Sequence, residues 1–144
     1  MSEVQTAVAK KPVPLPTPET EHYWAGTKVG ELRIQRCNSC SQHYFYPRPG
    51  CAHCGSTDVA WVKASGCATL HTYLISHRAA GGFEGDLPYA IAVVQLEEGP
   101  RMMTNIVGVE NTPENLVLDM ALEVRFQDRG AQFVPVFAPL GAPQ

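Results

Sequence analysis

The sequence lacks any apolar run near the roughly 20 residues that a membrane-crossing helix requires, so no transmembrane helix is expected. Its first residues, MSEVQTAVAKK, hold no apolar stretch of the kind found in secretory signals, and a cytoplasmic location is the resulting expectation. Positive charge is scarce. Eleven Lys and Arg stand against 14 Asp and Glu, a formal net charge of −3, which argues against a general binder of phosphate backbones. There is no Gly-rich phosphate loop ending in Gly-Lys and no Ser/His/Asp arrangement, so no catalytic residues are assigned. What remains, 44% apolar and 17% charged, is the composition of a folded globular chain rather than a disordered one. A length of 144 residues suits one domain, or two small units if one is held by something other than a core.

Residues 1–16 carry Lys10, Lys11, Pro12, Pro14 and Pro16 and few large apolar side chains, which fits a flexible arm. Thr17-Pro18-Glu19-Thr20 has the marks of a helix start: Thr17 to cap, Pro18 for the first helical position, and Glu19 and Glu21 where the helix dipole favours negative charge. With Gly30 as a stop, the pattern predicts a short helix over 18–28 within an N-terminal helical segment 17–30. Tyr23 and Trp24 on it either pack onto the body of the protein or face a partner, since aromatic residues are common interface anchors. Beyond residue 58 the pattern changes to strands over 59–63, 68–77, 89–97, 102–109, 122–127 and 133–137. Clusters such as Gly81-Gly82, Glu98-Gly99-Pro100 and Asp128-Arg129-Gly130 separate them. Leu122, Val124 and Phe126 alternate with Glu123, Arg125 and Gln127, the period of a half-buried strand. Several short strands divided by turns predict a closed barrel or a sandwich over 59–140, with 141–144 as a tail.

Between these parts, residues 31–58 hold four of the five cysteines as two C-x-x-C knuckles, Cys37-Asn38-Ser39-Cys40 and Cys51-Ala52-His53-Cys54. A two-residue gap lets both thiolates of a knuckle address one centre, and two knuckles supply the four sulfurs of a tetrahedral zinc site. In a reducing compartment metal ligation is the favoured use of such a set. Four sulfurs leave no open coordination position for water, so the metal is expected to be structural zinc, with iron in a rubredoxin-like site as the rival. It would stabilise some 30 residues too few to build their own core. His43 and His53 are expected to be solvated or to support the ligands from outside. Cys67 stands alone and is expected to behave as a small apolar residue. A nucleophilic role would need a base such as His71 or His77, which a simple strand period puts on one face with no acid to orient either.

The ordered set Gly30-Glu31-Leu32, Arg36-Cys37-Asn38-Ser39-Cys40, Tyr46-Pro47-Arg48-Pro49, Cys51-Ala52-His53-Cys54-Gly55-Ser56, Ser65-Gly66, the run from Pro88 to Gly99, and Pro135-Val136-Phe137-Ala138-Pro139 resembles the DUF35 family across roughly residues 18–140. The resemblance implies a mainly β fold: an N-terminal helix and a rubredoxin-like Cys₄ zinc ribbon, followed by a C-terminal OB-fold β-barrel. It also implies a role. Members of the family accompany thiolase-like enzymes that form or cleave carbon–carbon bonds of acyl-CoA substrates, including aldolases that shorten steroid side chains. The partner carries the catalytic residues, and the family member stabilises it and helps shape the acyl-CoA site or channel. Two copies of each chain are the implied assembly.

Three functions follow from these readings. The first is the non-catalytic subunit of a thiolase-like enzyme, with Trp24, Phe45, Tyr46 and Phe83 as the expected partner contacts. Phe83 lies in the Gly-rich loop 79–88, the place of a ligand-contacting loop in an OB-fold. The second is a free-standing acyl-CoA-binding protein, which needs cations for the CoA phosphates; Arg33, Arg36, Arg48, Lys63 and Arg78 are the candidates. The third is a single-stranded nucleic-acid binder, for which His43-Tyr44-Phe45-Tyr46 and Arg48 make a start but the acidic net charge does not.

Overall fold

The computed structural model describes residues 11–143, so the first ten residues of the expected arm and Gln144 of the expected tail lie outside the described residues. Residues 11–16 run without regular structure. The elements are α1 (Glu21–Lys28), β1 (Arg33–Cys37), β2 (His43–Tyr44), β3 (Val59–Lys63), β4 (Cys67–Ser76), β5 (Tyr89–Leu96), β6 (Arg101–Asn105), β7 (Ala121–Asp128) and β8 (Phe133–Pro139). A single 3-10 turn, Glu84–Asp86, interrupts the β4–β5 loop. No helix among the described residues is long and apolar enough to cross a membrane.

The helix starts later than the sequence pattern indicates. Thr20 Oγ1 accepts the Thr17 amide at 2.8 Å and Thr20 N–H donates to Thr17 O at 2.9 Å, closing a separate turn ahead of α1. The stop at Gly30 is as read. Gly30 has φ 79, its N–H donates to Thr27 O at 3.3 Å, and Glu31 N–H donates to Gly26 O at 2.9 Å, the paired bonds of a Schellman ending.

Two sheets result, one ordered β2-β1-β3 and the other β6-β5-β4-β7-β8, with every strand pair antiparallel. β3 reads as the first barrel strand from its composition. It pairs instead with all five residues of β1, because sheet membership is decided by a distant partner and not by the strand's own residues. β6 ends before the expected 109. Ile106 makes a lone parallel bridge to Phe137, and Val107 N–H donates to Phe137 O at 2.8 Å. These contacts join the two ends of the five-stranded sheet into a nearly closed OB-type barrel.

Inward positions of the barrel combine small residues (Ala68, Ala90, Ala92) with large ones (Leu70, Val94, Leu96, Leu122, Phe137), the mixture that fills a narrow interior. Tyr23, Leu32, Ile34 and Ala64 belong to this same core, so helix and ribbon sheet are anchored on the barrel. The cysteine end is different. There Cys37, Tyr44 and Cys51 form a separate small cluster with Cys40 and Val59.

A register shift between Leu70 and Thr72 makes His71 the extra residue of a β-bulge. Buried positions fall at Ala68 and Leu70 before it and move to Tyr73 and Ile75, both half-buried, after it. The simple period that puts His71 and His77 on one strand face therefore fails at this point.

Candidate metal centre and adjoining surface

The two knuckles are built alike. Cys37 ends β1; its N–H donates to Gln42 O at 2.9 Å, and its carbonyl accepts the Ser41 N–H at 2.9 Å. In the second knuckle Cys51 N–H donates to Ser56 O at 2.8 Å and Cys51 O accepts the Gly55 N–H at 3.0 Å. The residue after the last cysteine has positive φ in both, 65 at Ser41 and 80 at Gly55. Cross-links hold the knuckles together: Asn38 Nδ2 donates to Asp58 Oδ1 at 3.1 Å, and the Ser39 and Ser56 hydroxyls lie 2.9 Å apart.

This frame brings the sulfurs of Cys37, Cys40, Cys51 and Cys54 within 4.8 Å of one another, with Cys37–Cys54 and Cys40–Cys51 at 3.6 Å. A tetrahedron with Zn–S bonds of about 2.3 Å has S···S edges near 3.8 Å, so the four sulfurs fit a zinc ion and are too far apart for disulfides. Backbone amides already face the cluster: Cys40 N–H on Cys37 Sγ at 3.5 Å, and His53 and Cys54 N–H on Cys51 Sγ at 3.2 and 3.5 Å. The Cys40 amide is the main cause that brings the Cys37 thiol down to about 6, against the effect of burial. At Cys40 the Gln42 amide favours the thiolate, but burial and the neighbouring sulfurs outweigh it and push the thiol up to about 12. Four thiolates in this volume need a cation among them, which a divalent metal supplies. His43 and His53 stay outside the sulfur set, and the His53 Nε2 to His43 O contact of 3.2 Å ties the second knuckle to β2. Cys67 is exposed at the start of β4, contrary to burial as a small apolar residue, because it precedes the first inward position at Ala68.

The aromatic residues form one chain of edge-on rings: Trp24–Tyr23 at 4.8 Å, Tyr23–Phe45 at 5.6 Å and Phe45–Tyr46 at 4.9 Å. Tyr23 and Tyr44 are buried, so core packing takes these two. Trp24, Phe45 and Tyr46 line an apolar groove of ≈ 380 Å³ whose other wall is Met103, Val134, Pro135 and Val136. Tyr46 is 55% exposed and Met103 63% exposed. Met103 faces outward opposite Val93 of β5, which itself pairs with Thr72 of β4, and Leu74 of β4 pairs with Ile91 of β5 on the same side. An apolar strip thus continues from the groove across the outside of the barrel. Phe83 stacks on Tyr89 at 5.2 Å, with Lys11 Nζ 4.9 Å and the Arg129 guanidinium 5.6 Å from its ring. Arg129 also lines the groove, whereas Phe83 lines a separate cavity with Lys11, Asp86 and Tyr89.

The five candidate cations do not converge. Arg33 bonds Glu31 Oε1 at 3.0 Å and His22 O at 3.3 Å and lies against Gly26, where a Cβ would meet its Cδ at 2.6 Å; it locks α1 to β1. Arg36 reaches Asn38 Oδ1 at 3.4 Å, Lys63 sits opposite Arg33 on β3, and Arg78 is exposed in the β4–β5 loop. Arg48 lines a cleft of ≈ 270 Å³ together with Arg101, His43 and His53. Sequence reasoning missed Arg101 and Met103, because nothing local in Pro100-Arg101-Met102-Met103 says that β6 brings them beside the ribbon.

Comparison with known proteins agrees with this architecture. Residues 24–60 match the ChsH2 rubredoxin-like zinc ribbon domain and residues 61–127 the ChsH2 C-terminal OB-fold domain. A relative from Thermomonospora curvata described as a "Probable enoyl-CoA hydratase alpha subunit" is 32% identical over 137 residues, 94% of this chain and 42% of that protein. A "DUF35 domain-containing scaffold protein" of Methanocaldococcus jannaschii is 37% identical over 93 residues, 64% of each chain. The chain therefore spans less than two thirds of the length of these relatives. A solved chain of "Ltp2-ChsH2(DUF35) aldolase" superposes with a TM-score of 0.77 at 30% identity, covering 88% of this chain and 98% of that one. With a ribbon and a barrel of the kinds found in ChsH2 both matched in order, the chain belongs to the DUF35 family.

Proposed function

We propose that this chain is the non-catalytic subunit of a thiolase-like enzyme complex that acts on acyl-CoA substrates. The observation that carries the reading is the match to the solved DUF35 chain of an Ltp2-ChsH2 aldolase over nearly all of that chain. The likeness to a relative described as an enoyl-CoA hydratase subunit agrees with an acyl-CoA setting. In this reading the partner supplies the reacting groups. The four-cysteine site binds zinc as a structural ion and holds His43 to His53 rigid, and the groove of Trp24, Phe45, Tyr46 and Met103 receives the partner. Phe83 adds a separate contact. Two copies of each chain form the assembly, and carbon–carbon bond cleavage or formation is the chemistry served.

The reading is supported by the exposed groove itself. Large side chains such as Met103 and Tyr46, exposed next to half-buried rings, are the composition of an interface core. The test is co-expression of the full chain with the thiolase-like protein encoded nearest to it, followed by affinity capture and mass measurement of the complex. A stable complex of equal chain numbers is the expected result. Recovery of two separate proteins under low and moderate salt contradicts the reading.

A further inference from the structure

The residues that precede the first turn, 11–16, do more than lead into α1. Lys11 Nζ lies 2.6 Å from Asp86 Oδ2 and 4.9 Å from the centroid of the Phe83 ring, so one ammonium meets both a carboxylate and an aromatic ring of the β4–β5 loop. The next residue reaches a different part of the fold: Pro12 O accepts a hydrogen bond from Arg129 Nη1 at 2.7 Å. Arg129 stands in the β7–β8 turn, where its Nε donates to Gln127 Oε1 at 3.0 Å and its guanidinium lies 5.6 Å from the same Phe83 ring. Two adjacent residues of the arm thus tie the loop to the turn. We propose that Lys11 and Pro12 form a reversible strap that holds the loop 79–88 closed over this end of the barrel, and that release of the strap lets the loop swing out and frees Phe83.

The loop does little to hold itself down. Among the described residues, its hydrogen bonds stay inside it or reach its own strand ends: Phe83 N–H to Ala80 O at 2.9 Å, Asp86 N–H to Phe83 O at 3.0 Å, Gly82 N–H to Glu84 Oε1 at 3.0 Å and Ala80 N–H to the Tyr89 hydroxyl at 3.4 Å. Gly81 and Gly85 have nothing within 4 Å of where a Cβ would sit, so no packing fixes them. The floor below is rigid by contrast. Ala90 N–H donates to Asn111 Oδ1 at 2.8 Å, and Ala90 O accepts Asn105 Nδ2 at 2.7 Å. Between floor and loop lies a cavity of ≈ 370 Å³ whose lining includes Lys11, Phe83, Asp86, Tyr89, Val107 and Val109. A fixed floor under a Gly-rich loop that is tied from outside is the arrangement of a lid. The strap is built to dock and to let go. Pro12, Pro14 and Pro16 restrict the arm's backbone, so it loses little freedom on docking. The Lys11 and Asp86 side chains are 23% and 44% exposed, so water and salt reach the ion pair and keep it weak. OB-folds meet ligands through such loops, and a ligand or partner that reaches Phe83 has to displace Lys11 first.

The test is hydrogen exchange of the metal-loaded full chain, with chymotrypsin cleavage after Phe83 as a second readout of loop opening. Lys11→Gln and Asp86→Asn are each expected to speed exchange of the amides in 80–87, and cleavage after Phe83, by at least about fivefold, with β5 and β7 unchanged. Because the two side chains act through one contact, the double variant is expected to match Lys11→Gln alone. Salt at about 1 M is expected to speed the parent and to leave Lys11→Gln unaffected. Lys28→Gln, which removes an equal charge from the exposed end of α1, is expected to change nothing. Exchange and cleavage unchanged in Lys11→Gln, or a double variant that shows the product of both single effects, overturns the strap. A rise that extends equally through β5 and β7 also overturns it, since that marks general loosening and not a released loop. The strap is tested on the chain alone, so its failure leaves the complex proposed above untouched, and failure of that complex leaves the strap.

Discussion

Ser41 and Gly55 occupy equivalent places, each one residue past the last cysteine of its knuckle and each at positive φ, 65 and 80. The conformation turns the chain so that the preceding sulfur faces the centre. A side chain there costs roughly 1–2 kcal/mol in the left-handed region. Ser41→Gly is therefore expected to be neutral or to raise stability, and Gly55→Val to lower it by about that amount, the β-branched side chain being the worst placed. Thermal melts of the metal-loaded variants check this. Equal melting of Gly55→Val and the parent contradicts the account of the knuckle.

Cys37, Cys40, Cys51 and Cys54 are expected to hold one metal ion per chain, zinc rather than iron. Because the sulfurs form a small cluster apart from the main core, loss of the metal should loosen the knuckles before the barrel. Elemental analysis should find one equivalent in Cys67→Ala and far less in Cys40→Ala. Hydrogen exchange after chelation should rise around residues 37–56 and stay slow in β5 and β7. A chain that folds with four reduced thiols and no metal contradicts this.

Burial of the Tyr23 hydroxyl, with Tyr46 adding to it, raises its pKa far above the usual tyrosine range. A phenol held neutral by the fold contributes stability that is fully present below the unfolded-state value of about 10 and is lost as pH rises above it. The loss runs at about 1.4 kcal/mol per pH unit between the two values. Tyr23→Phe is expected to match the parent at neutral pH and to unfold at a higher pH under alkaline titration. An unchanged alkaline midpoint would place the hydroxyl in water.

Much of this molecule was legible in its sequence, and the illegible parts share one cause. The C-x-x-C knuckles and the Gly30 stop are local patterns, and each has its counterpart in the structure. In β7, Leu122 is buried and Val124 and Phe126 pack half-buried on the core, but Glu123, Arg125 and Gln127 are half-buried as well. Sheet membership of β3, the bulge at His71 and the end of β6 depend on residues far along the chain. The site divides in the same way. Four cysteines at fixed spacing announce themselves, whereas a cleft made by Arg48 and Arg101 exists only once β2 and the β5–β6 turn are side by side. Phe83 reads as a residue in a flexible loop, yet it is stacked on Tyr89 and flanked by two cations, a placement that Gly81, Gly82 and Gly85 gave no reason to expect.

The central claim, that this chain serves catalysis by a partner through its groove, is tested most directly by titrating the chain into the thiolase-like protein proposed as its partner. Carbon–carbon bond cleavage or formation on an acyl-CoA is followed as chain is added. Activity is expected to rise and saturate at one chain per partner protomer, the chain alone showing no turnover. Met103→Asp and Phe45→Ser together should shift that saturation to at least about tenfold higher concentration with zinc content intact, since both lie in the proposed interface core. Partner activity that is indifferent to added chain, or turnover by the purified chain itself, contradicts the account.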